Sequence, residues 1–238
     1  MAKTSIEWCD KSWNPISGCS PISEGCTNCY AKRMAYRLKG RYGYPKDDPF
    51  RVTFHPDRLD EPLHWKKPSR IFVVSMGDLF HKDISVIWIE KVFQSMVSAN
   101  WHKYLILTKR PSEAMKIAGW IKNLSDNVDL MLGVSISTNK DLWMVKTLLQ
   151  IPAAKRFVSV EPMLEPIDIY PTPMHQGDKC LDWIICGGET GPKARSMSLD
   201  WARDLRDKCK AANVPFFMKQ ITNKKAIPKD LMIREFPK

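Results

Sequence analysis

Short apolar runs recur along this chain, and between most of them lies enough sequence for a helix. They are residues 70–75 (RIFVVS), 104–108 (YLILT), 130–135 (LMLGVS), 156–160 (RFVSV), 183–186 (WIIC) and 215–218 (PFFM). Each has strand length and is rich in β-branched and aromatic residues. Each is also too apolar for a strand with one face in water, so the pattern predicts a parallel sheet buried on both faces. Residues 13–18 (WNPISG) are a candidate first short strand, although Pro15 cannot donate to a ladder. The intervening segments carry helix signals. Residues 84–99 place Ile84, Ile87, Trp88, Val92, Met96 and Val97 at helical spacing, residues 141–149 follow Thr138 and Asn139, and residues 199–212 follow Ser198 with Asp200 in the first turn. The alternation predicts an α/β fold, either a partial or complete (β/α) barrel or a doubly wound sheet. No repeat, low-complexity tract or Gly/Ser linker divides the chain, so it reads as one domain with a basic extension from about residue 220.

Three of the seven cysteines crowd into GCSPISEGCTNCYAKRMA: Cys19, Cys26 and Cys29, spaced C-x6-C-x2-C, with a helix starting at the last. Three thiolates on one loop can hold a metal or cluster and leave a coordination position open, as catalytic centres require. A closed structural zinc site needs a fourth ligand, and Cys9 is the nearest candidate outside the loop. Cys180, Cys186 and Cys209 are single and far apart, and read as packing residues. No apolar run approaches the roughly 20 residues of a membrane span. The opening MAKTSIEWCDKSWNP lacks the apolar core of a secretory signal, so the expectation is a cytoplasmic protein with reduced thiols and no membrane association.

Nearly every apolar run hands over to polar residues: Ser75-Met-Gly-Asp78, Thr108-Lys-Arg110, Ser135-Ile-Ser137, Ser159-Val-Glu161, Gly187-Gly188-Glu189-Thr190-Gly191 and Lys219-Gln220. Ligands of parallel α/β folds gather at the carboxyl ends of strands, which makes this set a candidate rim. The serines could equally cap helices, and the glycines could serve a tight turn. The net charge of +11 is uneven: +5 over residues 1–70, −1 over 71–190 and +7 over 191–238. Basic ends around a neutral centre fit a surface that faces a polyanion such as nucleic acid, or a solubilising surface.

The segments SIEWCDKSWNPISGCSPISEGCTNCYA, RIFVVSMGDLFH, LTKRP, LGVSIS, RFVSVEPML, DWIICGGETGPKARSM and VPFFMKQ resemble the phage and bacterial three-cysteine-motif proteins, a family of unknown function grouped with radical SAM proteins. The match runs from about residue 4 to 220. The resemblance implies a TIM-like (β/α) barrel with parallel strands. It also implies a [4Fe-4S] cluster on Cys19, Cys26 and Cys29, with S-adenosylmethionine (SAM) on the remaining iron. Six residues separate the first two cysteines here, against three in the common radical SAM spacing. By the same resemblance Tyr30 would pack on the adenine and Asp78 would meet the SAM amino group. Gly187, Gly188 and Glu189 would contact SAM or substrate; on the rim itself Ser135, Ser137 and Glu161 could hydrogen-bond ribose hydroxyls, or the serines cap helices and Glu161 pairs with Lys109 or Arg110. An electron donor and a partner protein are implied partners. The expected activity is reductive SAM cleavage applied to nucleic acid; the alternatives are a metal- or cluster-stabilised nucleic-acid or protein-binding module, and SAM-dependent transfer without a radical.

Overall fold

The computed structural model describes Thr4 and residues 6–170 and 180–237. In chain order its strands are β1 (Lys11–Trp13), β2 (Ile16–Ser17), β3 (Thr53–Phe54), β4 (Arg70–Val73), β5 (Lys103–Thr108), β6 (Asp129–Ile136), β7 (Lys155–Val160), β8 (Trp183–Gly187) and β9 (Phe216–Gln220). The helices are α1 (Tyr30–Arg37), α2 (Val86–Ser98), α3 (Pro111–Met115), α4 (Ala118–Asn127), α5 (Leu142–Gln150) and α6 (Leu199–Ala211). Seven strands form one sheet in the order β1-β4-β5-β6-β7-β8-β9, and every neighbouring pair is parallel. The six apolar runs all become strands of this sheet. Ser85 and Ser198 cap α2 and α6 with their hydroxyls, and Thr138 with Asp141 forms a capping box that adds a short 3-10 turn before α5.

The candidate first strand at 13–18 is corrected. Strand β1 lies upstream, pairing Lys11, Ser12 and Trp13 with Ile71, Phe72 and Val73. The chain then bends at Asn14-Pro15, and Ile16–Ser17 pairs antiparallel with β3 in a separate ribbon. Pro15 offers no N–H to continue the ladder. Asn14 ties the bend to the end of β4, its Oδ1 accepting from the Met76 N–H at 2.8 Å and the Ser75 hydroxyl at 3.1 Å.

The sheet is curled into a half-barrel. On a flat sheet β4 and β8, four strands apart, would stand about 19 Å from each other. The Trp8 ring instead lies 4.6 Å from Phe72 of β4 and 6.2 Å from Trp183 of β8. Trp8 packs with Phe72, Leu105, Met131, Phe157, Ile185 and Phe217, the inward residues of successive strands, and fills the concave side. Outward residues such as Ile71, Ile106, Leu132, Val158 and Ile184 join the helices in the main core. The chain end helps to close the gap. Arg234 bridges antiparallel to Phe217 of β9 and pairs with Glu7 at 2.6 Å, while Phe236 packs on Trp183, Phe217 and the Arg70 guanidinium. Among the described residues no helix is long and apolar enough to cross a membrane.

Candidate active site

The cysteine loop lies across the carboxyl ends of the strands. Gly18 bridges to Gly77 beyond β4, and the Cys19 N–H donates to the Phe50 carbonyl at 3.2 Å. Gly18 has φ +91°, and a Cβ there would stand 2.2 Å from the Arg51 carbonyl oxygen, so only glycine admits the chain at this point. Rim side chains then fasten the loop. Arg110 donates to the Ser20 carbonyl and hydroxyl, each at 3.0 Å, and His81 Nε2 meets the same hydroxyl at 2.7 Å. The Asp83 N–H donates to His81 Nδ1, so the imidazole proton sits on Nε2 and points at Ser20. Gly25 rests on Ser137 and Lys109, where a Cβ would come 2.1 Å from the Ser137 hydroxyl.

Glu189 is the strongest of these fastenings. Its carboxylate accepts from Asn28 Nδ2 at 2.9 Å, from the Arg195 N–H and Nε at 2.8 and 3.0 Å, and from Arg195 Nη2 at 2.6 Å. Burial would raise its pKa, but these bonds hold it down at about 2. Arg195 also donates to the Glu24 carbonyl, so β8, the loop after it and the cysteine loop form one unit.

Two adjoining cavities open on the cysteines. One, of about 180 Å³, lies over the concave side of the sheet and is lined by Ile6, Trp8, Ser159, Glu161, Gly188, Glu189, Lys219 and Gln220. The other, of about 160 Å³, lies under the loop, against Cys19, Phe50, Asp78, Thr108 and Arg110. Cys26, Cys29, Tyr30, Lys109 and Ser135 line both. Tyr30 stands between them with its hydroxyl donating to the Ser75 carbonyl, and burial raises its pKa.

The three thiols differ. Burial pushes Cys19 up to about 12. Burial opposes ionisation at Cys26 too, yet hydrogen bonds at Ile22 and Ser23 and the charge of Lys109 bring it below an ordinary thiol. Lys109 is itself depressed by burial, and its amine donates to the Ser135 carbonyl at 3.0 Å. Among the described residues no group of three or more His, Cys, Asp or Glu side chains is disposed to hold a single metal ion. A cubane cluster makes a different demand, since it spreads its ligands over separate irons. The loop offers three thiols, one of them acidified, beside a cavity and with no fourth thiol or histidine on the loop itself, which is the number of thiolates a cluster with one open iron takes.

The other sequence-derived residues fall into groups. Glu161 pairs with Lys219 and faces the concave-side cavity; Ser135 donates to the Glu161 carbonyl at 3.1 Å. Asp78 accepts from the Thr108 hydroxyl at 2.7 Å and from the Phe80 and Lys109 N–H groups, so it holds the end of β5 as well as lining the loop cavity. Gly188 lines the concave-side cavity, while Gly187 and Ser137 line neither. Cys9 lies apart from the loop, buried beside Trp8, with burial raising its thiol to about 12. Two rim residues, Ser159 and Arg110, and one residue the sequence did not single out, Trp8, also belong here. The Ser159 hydroxyl and Trp8 Nε1 are buried at the concave-side cavity without a hydrogen-bond partner, and Arg110 Nε is likewise unpartnered at the loop cavity. The alternation Phe157-Ser159-Glu161 carried the signal for Ser159, because period 2 puts all three on one face.

A family described as "Protein of unknown function (DUF5131)" matches residues 3–232. No curated protein matches the chain. The solved structure "Spore photoproduct lyase complexed with dinucleoside spore photoproduct" shares the fold, with a TM-score of 0.52 at 10% identity over 87% of this chain and 74% of that one.

Proposed function

The chain belongs to this family of unknown function, and we propose that it is a radical SAM-like enzyme that modifies or repairs nucleic acid. In this reading Cys19, Cys26 and Cys29 hold a [4Fe-4S] cluster and the cavities beside them receive SAM and the reacting part of the substrate. The observation that carries it is the adjacency of two loop thiols, Cys26 and Cys29, to a cavity at the strand ends whose wall retains unpartnered buried polar groups, Ser159 and Trp8, with Cys19 on the adjoining cavity. Such groups are costly unless a ligand or water meets them. When bound, the cluster and SAM supply one-electron cleavage of the sulfonium and so hydrogen abstraction from an unactivated C–H bond, the electron coming from an external donor.

The chain's own residues bind and orient. Glu189 with Arg195 fixes the loop, Arg110 and His81 fix its start, and Asp78 fixes the end of β5 and would be the residue to meet the SAM amino group. Glu161, held by Lys219, offers carboxylate oxygen to ribose hydroxyls, with Ser159 beside it on the same face. Tyr30 offers its ring to both cavities. A solved structure of this fold is described as holding a dinucleoside, which supports nucleic acid as the substrate class, as does the basic charge.

The test is anaerobic reconstitution with iron and sulfide. The expected product is a brown protein that, once reduced, converts SAM to 5′-deoxyadenosine, and Cys26→Ala should lose both iron and turnover. Stoichiometric zinc with no SAM binding would overturn the assignment.

A further inference from the structure

Residues 30–46, YAKRMAYRLKGRYGYPK, follow the last cysteine directly and contain six cations, four tyrosines and no acidic residue. The positive charge of residues 191–237 is of two kinds: Arg195, Arg203, Arg206, Lys208, Lys219 and Arg234 face carboxylates in ion pairs, whereas Lys193, Lys210, Lys224, Lys225 and Lys229 have no ion-pair partner among the described residues and have no run of tyrosines between them. Among the described residues none of Lys32, Arg37, Lys39, Arg41 and Lys46 has an ion-pair partner, and all five are exposed. Two guanidiniums of the segment are engaged with backbone carbonyls: Arg33 donates to those of Asn28 and Thr190, and the exposed Arg41 to that of Arg37.

The aromatic residues are exposed as well: Tyr36 by 53% and Tyr42 by 73%. Tyr42 has φ +51°, a left-handed backbone that a bulky side chain rarely adopts. The turn enforces it, with Arg58 donating to the Tyr42 carbonyl and Gly43 seated against His55. Strain that presents an aromatic ring to solvent serves no packing purpose. Lys32 precedes Tyr36 by one helical turn, so a cation and a ring share a face. The segment also begins at the cavities, since Tyr30 lines both and Lys32 lines the one under the loop.

We propose that α1 and the turn after it, through residue 46, are the docking surface for a single strand of nucleic acid, with the free cations on its phosphates and Tyr36 and Tyr42 stacked on its bases. Flexible unpaired cations supply the sequence-independent attraction, and exposed rings distinguish unstacked bases from a duplex, whose bases are hidden. The inference rests on the proposed function only in leading the strand to the cavities.

The experiment is fluorescence anisotropy with a labelled mixed-sequence single-stranded DNA, the same sequence as a duplex, and phosphatidylserine vesicles, over a range of salt. Single strands should bind more tightly than duplex. Combined Lys39→Glu and Arg41→Glu should weaken binding at least tenfold and flatten the log–log salt dependence by about 0.7 per cation removed. Tyr42→Ala, and separately Tyr36→Ala, should weaken it roughly fivefold or more with the salt slope unchanged. Reversal of Lys116 and Lys122 on α3–α4 is the charge-matched control and should cost less than twofold; circular dichroism checks that each variant is folded. The proposal fails if the Lys39/Arg41 variant behaves like the control, if neither tyrosine matters, or if vesicles compete as well as the strand. Strand binding is read without SAM or reductant, and iron content and SAM turnover are read in separate assays, so failure of the cluster chemistry and failure of strand binding are distinguished.

Discussion

Glu189 at the rim and His55 behind the β2–β3 ribbon are two residues whose ionisation couples acidity to stability. Glu189 is held at about 2 by Arg195 and Asn28 against its own burial. A carboxyl depressed this far below its unfolded value contributes roughly 3 kcal/mol at neutral pH, which is lost as pH falls from about 4.3 towards 2. Glu189→Gln should therefore be less stable than the parent at pH 7 by that order in urea denaturation, and the gap should close in acid. His55 works at higher pH. It is buried against the Ser17 hydroxyl at 2.8 Å, and burial with Arg58 nearby lowers it to about 4. The unfolded chain takes up the proton near pH 6.5 while the folded one refuses it, so stability falls between about 6.5 and 4. His81 and His102 shift in the same direction and add to that window. Acid unfolding should thus begin with the histidines and finish with Glu189.

At the scale of elements, the strands succeed by what they omit. Gly133 in β6 leaves the space that the Phe157 ring of β7 fills, and a Cβ there would come within 2.5 Å of that ring. Gly133→Ala should cost about 1–3 kcal/mol by overpacking, and adding Phe157→Leu should recover part of it, both read from urea midpoints. The strands themselves were legible because a parallel sheet buried on both faces leaves near-continuous apolar runs. Their carboxyl ends were legible as a rim for the same reason: the apolar run has to stop where the ligand face begins. The bend at Asn14-Pro15 was less so, since a two-residue strand such as Ile16–Ser17 carries too little pattern to say which sheet it joins. Side-chain commitments were not legible at all. Asp78 is spent on Thr108 and two backbone groups, and Arg195 clamps the loop from six residues beyond Glu189; both facts depend on where separate loops meet in space.

On the scale of the whole molecule, net charge was a poor guide and its distribution a better one. Towards the end of the sequence Arg203, Arg206 and Lys208 pair with carboxylates, whereas among the described residues Lys32, Arg37, Lys39, Arg41 and Lys46 have no ion-pair partner. The half-barrel depends on both ends of the chain. Phe236→Ala removes the ring shared by Arg70, Trp183 and Phe217, and because that ring is partly exposed the loss should be about 2 kcal/mol, checked by thermal unfolding. The Glu7–Arg234 and Trp8–Trp183 contacts have a further consequence for biosynthesis. Strands that pair in sequence order can assemble as they leave the ribosome, since each closes only a local loop. The concave-side cavity cannot, because Ile6 and Trp8 wait for Lys219 and Gln220 to arrive from the far end of the chain. A nascent chain therefore displays its cysteine loop well before the chamber beside it exists, and any ligand of that chamber can be captured only once residues 219 and 220 have been made and packed.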